Sequence, residues 1–351
     1  YTLSGIIRNA TEGSADYGKA VESVTVTRKA SDGTVIDSAV TDATGTFSFT
    51  FTGEKGDYIF VLSKAGFQTF TTAAMTIHQT SPSLGAFVIY EEETKAEIIA
   101  SGTCGDNLTW TLDDAGTLTI SGEGAMTNYE SYSNLAPWYE NHKQIKKVVF
   151  EGRLSTIGSY AFYECSLTSV SIPDSVYYIS SDAFSGCSSL TSVSIPDSVM
   201  TIANDAFEDC SSLTSVSIPD SVHYIASGTF SGCSSLTTVF IPDSVTSIGN
   251  YAFKDCSNLT TISIPNRVTS IGYSAFHGCT SLTSVSIPDS VTSIGDGSFL
   301  GCSSLTSISI PDGVTSIRNA TFSGCSSLST ISIPDSVTSI EIYAFQDCTS
   351  L

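Results

Sequence analysis

The chain has 351 residues, more than one ordinary globular core accommodates, so at least two independently packed regions are expected. Its 41% hydrophobic and 14% charged content excludes a disordered chain. A formal net charge of -21 disfavours nucleic acid and anionic lipid as partners, and no apolar run of 18 residues offers a membrane-spanning helix.

Residues 1–93 read as short strands separated by turn residues: T-L-S-G-I-I-R, S-V-T-V-T, T-V-I-D-S-A-V, T-F-S-F-T-F, Y-I-F-V-L and F-V-I-Y. Alternation broken by Gly, Asp and Asn predicts an antiparallel β-sandwich. The succession S-G at 4–5, V-T-V-T, T-D-A-T-G-T-F-S-F at 41–49, G-D-Y at 56–58 and K-A-G-F-Q at 64–68 resembles the carboxypeptidase-regulatory-like domain. That resemblance implies a transthyretin- or Ig-like sandwich serving as a stalk or accessory module of a secreted protein.

Residues 94–144 form a linker and cap. E-E-E-T-K at 91–95 reads as solvated linker, and N-L-T-W-T-L-D-D-A-G-T-L-T-I-S-G at 107–122 as a hairpin turning at Asp113–Gly116. A-P-W-Y-E at 136–140 then leads into a repeat, whose open end Trp110, Trp138 and Tyr139 are suited to cover.

From residue 145 one phrase returns. Prolines stand at 173, 196, 219, 242, 265, 288, 311 and 334, always 23 residues apart. Columns from Ile179 to Ile340, Phe184 to Phe345, Cys187 to Cys348 and Leu190 to Leu351 keep the same step, and a degenerate first unit runs from Ile145 to Cys165, giving nine units. The chain stops partway through the phrase, in A-F-Q-D-C-T-S-L, so the natural protein is expected to continue.

A unit this short cannot bury its own apolar face, which predicts a solenoid of stacked coils. L-T-S-V-S-I alternates β-branched residues inward with Ser outward and reads as a strand ended by Pro; V-T-S-I-G is a second short extended piece, and A-F-x-G-C-S-S a return arc.

The pattern I-P-D-S-V-T-S-I-G-x-x-A-F-x-G-C-S-S-L-T-S-V over 145–351 resembles the leucine-rich repeat of BspA-type bacterial surface proteins. The resemblance implies a mainly β chain ending in a right-handed curved solenoid, display on the bacterial cell surface or secretion, and adhesion or protein binding rather than catalysis.

Nine of the ten cysteines fall in one ladder, with only Cys104 outside it. Parallel Cβ vectors about 4.8 Å apart do not suit a disulfide, which needs about 3.8 Å, so buried free thiols acting as small hydrophobes are expected. The Asp column at 174, 197, 220, 243, 289, 312 and 335, with Asn266 in the gap, reads as turn residues bonding their own backbone, with weak cation association as the lesser alternative. His78, His142, His223 and His277 share no ligand spacing, and no hydrolase, metalloprotease, P-loop or dinucleotide motif occurs. No catalytic residue, metal site or cofactor is expected.

In near-identical copies, specificity resides where copies differ. The two positions after Val are Thr-Ser in the last five units but Tyr177-Tyr178, Met200-Thr201 and His223-Tyr224 in the second to fourth, and Phe240 replaces the Ser that stands outward in every later strand and in the three before it. Exposed aromatics and Met mark protein contact sites, so Tyr177, Tyr178, Met200, His223, Tyr224 and Phe240 are the candidate partner-binding residues. The expected partner is a protein or glycoprotein of a host or neighbouring cell. The alternatives are a structural spacer on the envelope and, more remotely, an accessory module of a carbohydrate-active enzyme.

Overall fold

Runs of β-branched and aromatic residues become strands along the whole chain, and a 3-10 turn at Tyr139–Asn141 is the single helical element among the described residues. The computed structural model describes residues 2–10, 15–50, 56–77, 83–89, 96–130 and 133–351; His78 and the E-E-E-T-K segment lie outside them. Two units are distinct, Tyr1–Lys95 and Ala96–Leu351.

In the first unit, β1 (Thr2–Asn9), β2 (Thr25–Ala30), β3 (Val35–Val40), β4 (Thr46–Thr50), β5 (Gly56–Ser63), β6 (Phe70–Thr71), β7 (Met75–Ile77) and β8 (Gly85–Ile89) form two sheets. One has the order β4-β1-β8; the other runs β3-β2-β5-β6 with β7 also on β5. Ile7, Phe47, Phe49 and Phe87 from the first sheet and Val26, Phe60 and Leu62 from the second share one apolar cluster. The expectation of a wholly antiparallel arrangement needs correction, because β1 and β8 pair in parallel, Gly5 opposite Gly85 and Arg8 opposite Val88. Parallel neighbours require a long crossover, and the chain between β1 and β8 supplies it.

The second unit opens with β9 (Ile98–Gly105), β10 (Leu108–Asp113) and β11 (Thr117–Ala125), antiparallel in that order. The Thr117 N–H donates to Asp113 Oδ1 at 2.7 Å and closes the turn between β10 and β11. Trp138 is fully buried, edge-on to Trp110 at 5.6 Å and stacked on Phe162 at 6.0 Å; its indole N–H donates to the Ala161 carbonyl at 2.7 Å. Tyr139, by contrast, is only half buried and stacks on His142 at 4.4 Å.

The first coil departs from the others. β12 (Lys147–Ile157) is one continuous strand, parallel to β11, where most later coils have two short ones. Glu151 occupies the place taken by proline in every later unit, so a backbone N–H is available there and the strand runs through.

From β13 (Ser169–Ser171) and β14 (Tyr178–Ile179) onward, coils stack in parallel register: Val170 opposite Val193, Ile179 opposite Ile202, Ile308 opposite Ile331. Phe162, Phe184 and their successors to Phe345 form a continuous column, centroids 5.1 to 5.7 Å apart and planes within 13° of parallel. Outside the core, hydroxyls clip each coil to the one before it, as when Thr191 Oγ1 donates to the Thr168 carbonyl at 2.9 Å and Ser290 Oγ to the Val268 carbonyl at 2.6 Å.

The Asp column does not do what its sequence context suggests. The turn after each proline is closed by a backbone bond, Val176 N–H to Pro173 carbonyl at 3.0 Å and likewise along the column, while Asp174 and its equivalents are exposed and bond no backbone group. The Ser that follows, not the Asp, makes the side-chain bond, as Ser175 Oγ to the Leu154 carbonyl at 2.6 Å shows.

Two positions in every arc have positive φ. One lies just before Cys, running Glu164, Gly186, Asp209, Gly232, Asp255 and onward, and the other five residues before Cys, running Tyr160, Asp182, Asp205, Gly228, Tyr251, Ser274 and onward. The first column is filled by Glu, Gly and Asp, with Gly278, Gly301 and Gly324 in succession, and a Cβ at Gly232 would meet the Asp209 carboxylate of the preceding coil.

The cysteines are more than fillers. From Cys187 to Cys348 each thiol donates to the Phe carbonyl of the preceding coil at 3.0 to 3.3 Å. Burial pushes the Cys187 thiol up to about 12 and the Cys104 thiol up to about 11, so neither is a nucleophile at neutral pH. Thiol titration of the denatured protein, with exchange blocked, should find at least eight of the ten cysteines of the sequence free; fewer would mean that the ladder is bridged.

The two strand ladders are not continuous. Among the described residues no ladder joins Ser192–Ser194 to Ser215–Ser217, or Thr238–Phe240 to Thr261–Ser263; on the other face none joins Thr201–Ile202 to the next coil, where a lone Ile225–Ile248 bridge stands in for a strand pair. Between the coils of Met200 and His223 both ladders therefore lapse together.

Candidate binding surface

The predicted residues fall on two different ladders. Tyr177, Met200 and His223 occupy one outward column, held by backbone bonds between coils: Met200 N–H to the Tyr177 carbonyl and Thr246 N–H to the His223 carbonyl, both 2.9 Å. Tyr178 and Tyr224 belong to the adjoining column, where Tyr178 pairs in register with Thr201. Tyr177 is 50% and Met200 60% exposed, His223 and Tyr224 are exposed, and Tyr178 is half buried. No ring–ring contact joins them among the described residues, so they form a spread apolar surface rather than a stacked cluster.

Phe240 stands apart. It lies on the first-strand ladder opposite Ser217, and its ring is 61% exposed. It borders a concavity of about 660 Å³ at the lapse between Thr238–Phe240 and Thr261–Ser263, shared with Asp220, Asp243, Ser263, Pro265 and Arg267.

Sequence reasoning did not single out Arg267, although the signal was present: P-N-R-V at 265–268 replaces the P-D-S-V of most units. It also passed over Tyr251 and Tyr273, exposed rings that meet edge-to-face at 5.1 Å on the arc. Both would have been found by extending the comparison of copies to every column.

The arc also gathers carboxyls. Burial, with the charges of Asp205, Asp209 and Asp182, pushes the Glu208 carboxyl up to about 7, and burial chiefly pushes Asp182 up to about 6. These groups bind protons more tightly folded than unfolded, so folding is favoured below about pH 4 to 5 and progressively disfavoured as pH rises through 6 to 7. Thermal unfolding should therefore occur at a higher temperature at pH 5 than at pH 8. Glu208→Gln should raise the pH 8 value and flatten the profile; an unchanged profile would show that general charge repulsion, not this group, sets the slope.

A family model for the BspA type leucine-rich repeat region matches residues 136–260 and 223–351. No curated protein matches the chain. Among solved structures, a leucine-rich repeat protein of T. pallidum is 26% identical over 71% of this chain and 90% of its own, with a TM-score of 0.45. A leucine-rich cell surface protein of Faecalibacterium prausnitzii A2-165 is 29% identical over 73% and 88%, with a TM-score of 0.40. A leucine-rich repeat protein of Eubacterium ventriosum ATCC 27560 is 22% identical over 72% and 90%, with a TM-score of 0.49. With stacked parallel strands, a phenylalanine column and a family match running from residue 136 to the last residue, more than half its length, the chain belongs to the BspA type leucine-rich repeat family.

Proposed function

We propose that this is a non-enzymatic binding protein of the bacterial surface or secreted space. In this reading a carboxypeptidase-regulatory-like sandwich precedes a capped, right-handed solenoid of 23-residue repeats, which contacts a protein or glycoprotein of a host or neighbouring cell. The observation that carries the reading is the grouping of Tyr177, Met200, His223 and Tyr224, exposed on consecutive coils whose later counterparts hold only Thr and Ser. A pure spacer has no use for apolar rings in water, whereas contact surfaces are enriched in them.

The test is to return Tyr177, Tyr178, Met200, His223 and Tyr224 to Thr or Ser and to measure binding to arrayed host matrix and surface proteins. Each change installs a residue that neighbouring coils already carry, so the melting temperature should hold. Affinity for any partner of the parent should fall, each hot-spot aromatic accounting for at least about 2 kcal/mol. Stability lost with affinity retained would assign these side chains to packing.

A further inference from the structure

Two departures from the repeat, 27 positions apart in sequence, converge on one concavity, Phe240 for Ser and Arg267 for Ser, and a third, Asn266 for Asp, adjoins Arg267 in the chain. The last one sacrifices a bond. In the coil before and the coil after, the residue in the Arg267 column is a Ser whose hydroxyl donates to the Val carbonyl of the preceding coil, Ser244 to Val222 at 2.7 Å and Ser290 to Val268 at 2.6 Å. Arg267 makes no such bond and instead presents an exposed guanidinium that pairs with no carboxylate among the described residues. Asn266 matters for the same reason, since the Asp of other coils would set a negative charge directly beside it.

The rest of the lining limits what can bind. Asp220 and Asp243 are exposed acceptors with no donor from the chain among the described residues, so a ligand that displaces their water must bring donors of its own. Arg267 calls for a planar anion, for which a carboxylate is the geometric match. Phe240 offers an apolar face in water. A ligand that uses the whole lining thus carries a carboxylate, several hydrogen-bond donors and an apolar face.

We infer that the concavity between Phe240 and Arg267 binds an acidic saccharide, a sugar ring bearing a carboxylate beside free hydroxyls. The carboxylate pairs with Arg267, ring hydroxyls donate to Asp220 and Asp243, and the C–H face of the sugar covers Phe240. An acidic peptide fits less well: its carboxylate suits Arg267, but its only donors are backbone N–H groups, whereas a sugar acid presents hydroxyls on the ring that bears its carboxylate. The inference rests on the binding reading above but uses a different ladder from the tyrosine patch, so the two can fail separately.

The experiment is calorimetric titration of the whole 351-residue chain with tetragalacturonic acid, its methyl ester, sialyllactose and a tetraglutamate peptide, each to about 1 mM. At least one acidic saccharide should bind. Arg267→Ser, Phe240→Ser and, for the galacturonide, esterification should each weaken it at least about tenfold, as expected for loss of a charge-assisted bond or an aromatic anchor. Both variants restore the residue of other coils, so their melting temperature should match the parent. Asp243→Ala separates the ligand classes. It should weaken saccharide binding, whereas a plain anion attracted to Arg267 would bind better without it. The inference is overturned if neither acidic saccharide binds, if Arg267→Ser leaves binding unchanged, if Asp243→Ala strengthens it or leaves it unchanged, or if tetraglutamate binds as well. A chain with its tyrosine patch returned to consensus should bind the saccharide like the parent. Loss of saccharide binding there would overturn this site, while loss of protein partners alone would leave both readings standing.

Discussion

Phe253→Ala is expected to destabilise the solenoid by about 3 to 5 kcal/mol, the usual cost of deleting a core phenylalanine. Phe253 is fully buried, with Phe230 stacked at 5.7 Å on one side and Phe276 at 5.5 Å on the other. Removing it leaves a void inside a column whose spacing is fixed by backbone bonds on both sides, Phe253 N–H to the Ala275 carbonyl and Phe230 N–H to the Ala252 carbonyl, 2.8 and 2.9 Å. The coils cannot close over it without breaking those bonds. Because each coil templates the next, the loss should appear as a lower and broader thermal transition, with the weakened coil dividing the array. An unchanged transition would place Phe253 outside the core and the repeat register in error.

Trp138→Ala should cost at least as much, and for two reasons. The ring fills the space between Trp110, Tyr129 and Phe162, at 5.6, 6.0 and 6.0 Å, and its removal opens a cavity at the point where the β9–β11 strands and the first coil meet. The Ala161 carbonyl also loses its indole donor in a buried setting, a further penalty of about 1 to 3 kcal/mol. Trp138→Phe separates the two terms, since it keeps most of the ring and removes the donor. Denaturant unfolding followed by tryptophan fluorescence would report on the remaining Trp110. If Trp138→Ala unfolds at the denaturant concentration of the parent, the tryptophan does not hold the β9–β11 strands to the repeats.

Much of the solenoid was legible because repetition is self-indexing. Once the prolines fix the step, Val, Ile, Phe, Cys and Leu columns must face inward, and Phe184 through Phe322 are indeed fully buried. What escaped was chemistry that a column does not spell out. Positive φ in the arc is met by Tyr160, Asp182, Ser274 and Ala320 alike, so no residue type marks it. The Asp after proline looks like a turn former, yet the turn closes through the backbone and leaves the carboxylate in water. In the first unit, parallel pairing of β1 with β8 depends on chain closure at a distance, which local alternation cannot report. Of the candidate surface, the exposed rings were readable as departures from a consensus, but Arg267 acquires meaning only once folding brings it beside Phe240.

The simultaneous lapse of both ladders between the coils of Met200 and His223 makes the solenoid mechanically uneven. A stack of coils resists bending in proportion to the lines of bonds that cross each junction, and at this junction the arc bonds, the core and the bonds of Thr214 to Thr191 and Ser221 to Val199 remain while strand pairing on both faces does not. Flexure is expected to concentrate there, with Tyr177 and Met200 on one side and His223 and Tyr224 on the other. A partner that gripped all four would fix the angle between the two sides, and its affinity and the curvature of the solenoid would then be linked quantities.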